Sequence, residues 1–160
     1  MIEKYFNAEK NESILFLLAG IGAILLAVYF LVKIKQPFYN GLAYAFITIA
    51  IIQITVGSTI YFRSPKDIIR VSSMMQSDKS KISKEEIPRM QKVMKNFKLF
   101  KWIEIFLTVI SFSLFLFFPQ NPLLRGIGLG LFIQAILMLA FDFFAENRGK
   151  SYLEFLQTIN

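Results

Sequence analysis

Cysteine and histidine are both absent from this 160-residue chain, and acidic residues number only 11 against 18 Lys and Arg. Without thiols and imidazoles there is no disulfide, no thiolate nucleophile, no imidazole base and no ordinary zinc, haem or iron–sulfur ligand set. No cofactor or metal is therefore expected. Charged residues make up only 18% of the chain, whereas 55% is hydrophobic and 18 residues are Phe. A soluble domain has little use for that balance when its charges are so segregated, and the composition predicts an integral membrane protein.

Four stretches can cross about 30 Å of hydrocarbon as helices, which takes roughly 20 residues at 1.5 Å each. They run from Ile14 to Val32, Leu42 to Phe62, Trp102 to Phe118 and Leu123 to Ala145. Short breaks, Lys35-Gln36-Pro37 with Asn40-Gly41 and Pro119-Gln120-Asn121-Pro122, tie them into two hairpins. Asn121 is placed to cap the fourth span, with Pro122 at the first helical position, where its missing N–H costs nothing. Lys33 and Lys35 stand where a signal-peptide cleavage site would need small residues, so the first span reads as a retained anchor.

With four spans, fifteen of the eighteen cations fall on one side and only Lys33, Lys35 and Arg125 on the other. The positive-inside rule then puts both termini and the loop from Arg63 to Lys101 in the cytoplasm, with a bacterial inner membrane as the expected location. Every acidic residue falls on that same side.

Within the loop, Ser64-Pro65-Lys66-Asp67 has the composition of a helix start, followed by Ile68, Val71, Met74 and Met75 at helical spacing. Ser77-Asp78-Lys79-Ser80-Lys81 has turn composition and is expected to reverse the chain. Ser83 and Glu86 suggest a second start that Pro88 would interrupt, so the next regular helix is expected from Pro88. From there Met90, Val93, Met94, Phe97 and Phe100 fall within about 120° of arc, and nothing breaks the helix before the third span. Arg89, Lys92, Lys95, Lys98 and Lys101 spiral around the same rod. Its stripe either packs on the preceding loop helix, with the lysines touching anionic lipid headgroups, or docks a partner through Met90, Met94 and Phe97 with Arg89, Lys92, Lys95 and Lys98. Nucleic acid is not an expected partner, because topology accounts for the net charge of +7 and no recognition motif is present. Residues 146–160 form a tail in which Ser151 to Glu154 fits a capping box, expected to lie along the membrane surface or against the loop. Residues 1–13 read as a second interfacial segment.

Small residues inside the spans predict packing seams: Ala19, Ala23 and Ala27 in the first, Gly126 and Gly130 in the fourth, and Gly41 with Thr48, Thr55 and Thr59 in the second. Gln53 and Gln134 should lie near mid-membrane, where each carboxamide needs a partner and each can supply the other's. Glu104, Asp142 and Glu146 are expensive in or beside a span. They are expected to pair with Lys101, Arg63 or Arg148, and otherwise to contact a partner, a lipid headgroup, a proton or a cation. No phosphate-cradling loop or nucleophile elbow occurs, and Gly126-Ile127-Gly128-Leu129-Gly130 suits packing.

The expected fold is a single all-α membrane domain: an integral four-helix antiparallel bundle with a cytoplasmic helical hairpin extending from span three. The expected function is non-catalytic, through binding a protein partner in the membrane or cytoplasm, or a second copy of the chain. That class covers an accessory subunit, a regulator or a toxin-immunity protein. The layout of four spans, inside termini and short outer turns is similar to that of some colicin-type immunity proteins, a likeness of architecture. A small oligomeric ion or solute transporter is the alternative, and a lipid-processing enzyme a third.

Overall fold

The computed structural model describes residues 1–159 and is built on four long helices: α1 (Ile2–Tyr29), α2 (Pro37–Ser77), α3 (Ile87–Phe117) and α4 (Pro122–Thr158). Each is long and apolar enough to cross a membrane, which supports a multi-pass bundle. The start of α1, the end of α4 and the turn after Ser77 lie at one end of the molecule, the terminal end. The two short turns lie at the other.

The first short turn follows a π-helical turn, Phe30–Ile34, and Lys35 closes it with a left-handed φ of 54° while donating its N–H to the Phe30 carbonyl at 3.0 Å. At the second, Asn121 Oδ1 accepts from the Leu124 N–H at 3.1 Å and Pro122 opens α4, as their spacing predicts. The Ser77 turn is held by Asp78, which accepts from the Ser80 N–H through its side chain and from the Lys81 N–H through its carbonyl.

Helices run further than expected at the terminal end. At 41 residues, α2 spans about 62 Å, twice the hydrocarbon thickness, and passes straight through Pro65. Ser64 is no N-cap: its hydroxyl bonds back to the Ile60 carbonyl at 2.8 Å, and Asp67 pairs with Arg63 across Pro65 and with Arg70 one turn on. Residues 2–13 belong to α1 and residues 146–158 to α4, so neither is a separate interfacial segment. Ser151 likewise bonds back to Asn147 O instead of capping a new helix. The rod expected from Pro88 is present as α3, preceded by a π-helical turn, Ile82–Glu86. A wider turn ahead of the proline relieves the clash of its ring with the carbonyl four residues back.

The close helix contacts follow a row, α1–α2–α4–α3, with α1 also touching α4 through Phe16 and Phe141. Each hairpin is antiparallel. The hairpins meet through α2 and α4, which run the same way, as the rising register of Gly41 against Gly126 and Ala45 against Gly130 shows. Here the backbones touch. A Cβ on Gly126 would overlap the Phe38 carbonyl oxygen, one on Gly41 the Leu123 carbonyl oxygen, and one on Gly130 would sit 2.7 Å from Ala45 Cβ. Ala23 and Ala27 are buried in the α1–α2 seam with Ala43, Phe46 and Ala50, while Ala19 is half-buried and Gly20 and Gly57 give close packing there. Thr48, Thr55 and Thr59 are not part of a seam: they face outward, each hydroxyl satisfied by the carbonyl four residues earlier.

Beyond the apolar stretches all four helices contribute to one core. Phe6, Val71, Ile82, Met90, Tyr152 and Leu156 are essentially inaccessible in it, and Tyr5 stacks on Tyr152 with ring centroids 4.2 Å apart. The expected hairpin of loop and span-three extension is thus half of a larger unit that also takes in both ends of the chain. Each large apolar side chain buried there contributes about 1.5–3 kcal/mol where the unfolded alternative is water.

Gly126→Leu should lower stability by about 2–3 kcal/mol, because the overlap lies against backbone that cannot yield. Gly22→Leu, at a position with nothing within 4 Å, should be close to neutral in the same detergent unfolding titration.

Candidate functional site

Four features of the molecule hold polar groups away from water. The deepest is the Gln53–Gln134 pair on α2 and α4, where Gln53 Nε2 donates to Gln134 Oε1 at 3.0 Å. This is the mutual pairing that the two positions predict. Gln53 Oε1 stays buried without a partner.

The second is centred on Glu86, which the π-helical turn carries into the terminal core with its side chain fully buried. Arg70 Nη2 reaches it at 2.8 Å, Arg89 at 2.9 and 2.6 Å through Nε and Nη2, and the Tyr152 hydroxyl donates to it at 3.2 Å. Burial would push this carboxyl up, but the hydrogen bonds and charges of Arg89 and then Arg70 outweigh it and hold Glu86 below the ordinary carboxylate range. Burial and the Glu86 charge push the Tyr152 phenol far above its usual range, so it stays a donor. Arg89, expected on a docking surface, instead closes this network and lies over the Phe6 ring.

The third is a belt of ion pairs where the apolar stretches end. Arg63 pairs with Glu9 at 2.9 Å and with Asp67 at 3.1 Å, Arg148 pairs with Glu12, and Lys101 and Lys150 both pair with Glu146. Burial pushes the Glu9 carboxyl up despite Arg63. The cations expected to neutralise Glu104 and Asp142 are therefore committed elsewhere, and of the three acids only Glu146 has the expected partner. Glu104 and Asp142 are electrostatic neighbours across α3 and α4. Glu104 is buried, its Oε2 has no hydrogen-bond partner, and neither acid joins an ion pair among the described residues.

The fourth is a cavity of about 340 Å³ lined by all four helices, between α3 on one side and α1 and α2 on the other, with α4 as its floor. Phe16, Phe97, Phe100 and Phe141 form apolar walls, Asp142 lies in the floor, and Arg63 and Arg148 lie at the rim with their glutamates. The cavity exists because the α3 backbone closes on α4 alone.

Of the remaining expected site residues, Met90 and Met94 are buried against the molecule's own core and against Gly149, so they are not a free docking stripe. Phe97 is half-buried and lines the cavity. Lys92, Lys95 and Lys98 are exposed along α3. Glu86, Glu9, Glu12, Tyr152 and Phe16 were not legible as site residues, although Glu86 and Arg89 have the three-residue spacing of a helical ion pair. No three Asp or Glu among the described residues come together as metal ligands. Comparison with protein-family models, curated proteins and solved structures finds no match to the chain.

Glu86→Gln should cost about 3 kcal/mol, since it leaves Arg70 and Arg89 beside a neutral group in a closed core. Because the folded pKa is depressed, the contribution is complete above the ordinary glutamate value of 4.5 and is lost as pH falls through the lower folded value. The stability difference between wild type and variant should therefore shrink below about pH 4.5, as measured by unfolding titrations from pH 7 to pH 3.

Proposed function

We propose that the protein is a non-catalytic multi-pass membrane protein that acts by binding another protein within the bilayer, as an accessory subunit, a regulator or a toxin-immunity protein. The observation that carries this reading is the one-sided attachment of α3. Only α4 receives its backbone closely, and Trp102, Ile103, Phe106, Val109 and Leu116 are left exposed along it. Helix association in lipid depends on close packing, and an apolar helix with one neighbour offers the most surface for a further one. The exposed Lys92, Lys95 and Lys98 continue from this face into the charged end, where they would meet anionic headgroups. In this reading the terminal end is cytoplasmic, as the positive-inside rule requires. A second reading, a small oligomeric transporter, draws on the acid Asp142 in the floor of a cavity.

A photoreactive residue in place of Phe106 or Val109 should give a discrete protein adduct in native membranes, whereas one in place of Leu25, on the exposed side of α1, should give lipid adducts. Lipid adducts at all three positions would overturn the partner reading. Ion or solute flux through liposomes holding only this protein, abolished by Asp142→Asn, would establish transport in its place. Because the chain has no cysteine, orientation is read by single substitutions: Gln120→Cys should react with an impermeant maleimide added outside intact cells, and Asp78→Cys only after lysis.

A further inference from the structure

We propose that the cavity between α3 and the α1–α2 hairpin is a binding site for an organic monocation with an apolar body, of the quaternary ammonium or arylphosphonium class. Its volume of about 340 Å³ is that of a small-molecule site rather than of a packing defect. Its lining includes phenyl rings from three helices, Phe16 of α1, Phe97 and Phe100 of α3 and Phe141 of α4, and the faces of such rings attract cations.

The charges in and around it do not balance in the way a closed structure requires. Glu9 is matched by Arg63 and Glu12 by Arg148, so both rim arginines are committed. Asp142 remains in the floor. Behind it stands Glu104, nearly inaccessible and with one oxygen lacking any hydrogen-bond partner. The nearest cation, Lys101, points to Glu146, which already holds Lys150. Two neighbouring acids at the edge of an apolar stretch, without an ion-pair partner, are costly to ionise together, and they keep a shared proton unless a positive group joins them. A cation seated among the four rings would be that group, and its apolar body would occupy the space that α3 does not close. Arg148 Nε is also buried without a partner, which makes an anion the competing ligand.

This inference does not rest on the partner reading, which concerns the outer face of α3 and is tested by cross-linking there. Its own test uses two ions of one shape and opposite charge, tetraphenylphosphonium and tetraphenylborate, with the full chain in nanodiscs and empty discs subtracting the partitioned fraction. The wild type should bind the phosphonium saturably above the empty-disc background and the borate no better than the discs do. Asp142→Asn should weaken phosphonium binding about tenfold, as expected for loss of a charge partner in a low-dielectric site. Glu85→Gln, exposed on the π-helical turn, should leave binding unchanged. Phe97→Ala, which keeps both acids, should weaken it several-fold and provides the reading if Asp142→Asn does not fold. Absence of saturable phosphonium binding, equal binding by both variants and wild type, or preferred borate binding that Arg148→Gln abolishes would each overturn the proposal.

Discussion

Lipid gives one apolar helix no hydrophobic reason to prefer another, so within the spans the molecule depends on how closely backbones can approach. The closest approach lies between α2 and α4, where Gly41 and Gly126 meet main chain without an intervening side chain. Two helices running in the same direction are held in fixed register there, and the Gln53–Gln134 bond fixes it again deeper along the pair. Everything else hangs from that seam. It sets two hairpins back to back, puts α1 and α3 on the outside of a row, and leaves α3 with one close neighbour. The cavity is the space this arrangement cannot fill.

At the terminal end a different force takes over. Past the apolar stretches the side chains of all four helices share a core whose stability comes from exclusion of water, with Phe6, Met90, Tyr152 and Leu156 at its centre. Glu86 is buried among them, and such a group is tolerable only because two guanidinium groups and a phenol meet it. The same core gathers both chain ends. Stability in water and packing in lipid are thus joined by rigid helices that pass from one region into the other.

Much of this was legible in the sequence because the rules involved are local or strongly periodic. Asn121 and Pro122 act where a cap and first-turn proline should, Gln53 and Gln134 pair because an isolated carboxamide in lipid is costly, and Gly126 and Gly130 mark a seam. The misread helix starts share one cause. Ser64-Pro65 and Ser151 carry the composition of helix starts, but tertiary packing over a shared core outweighs a weak local preference and the helices run on. Thr48, Thr55 and Thr59 share a face with Gly41, yet a hydroxyl bonded to its own helix needs no neighbour, so periodicity could not tell a seam from a lipid-facing stripe. Glu104 and Asp142 lack the ion pairs expected of them because pairing depends on the lateral order of the helices, and the row α1–α2–α4–α3 is not written in any one segment.

The Gln53–Gln134 bond joins residues 81 positions apart. At roughly 5–20 residues per second of synthesis, Gln53 is made about 4–16 s before its partner carboxamide exists. During that interval α2 presents an amide to its surroundings at the depth where α4 will later dock, together with the bare backbone at Gly41. A nascent first hairpin is therefore an incomplete object that either waits in a polar setting at the insertion machinery or finds a temporary partner. The last helix made is the one that closes the molecule, so a chain that stops before α4 leaves both the glutamine and the seam unsatisfied.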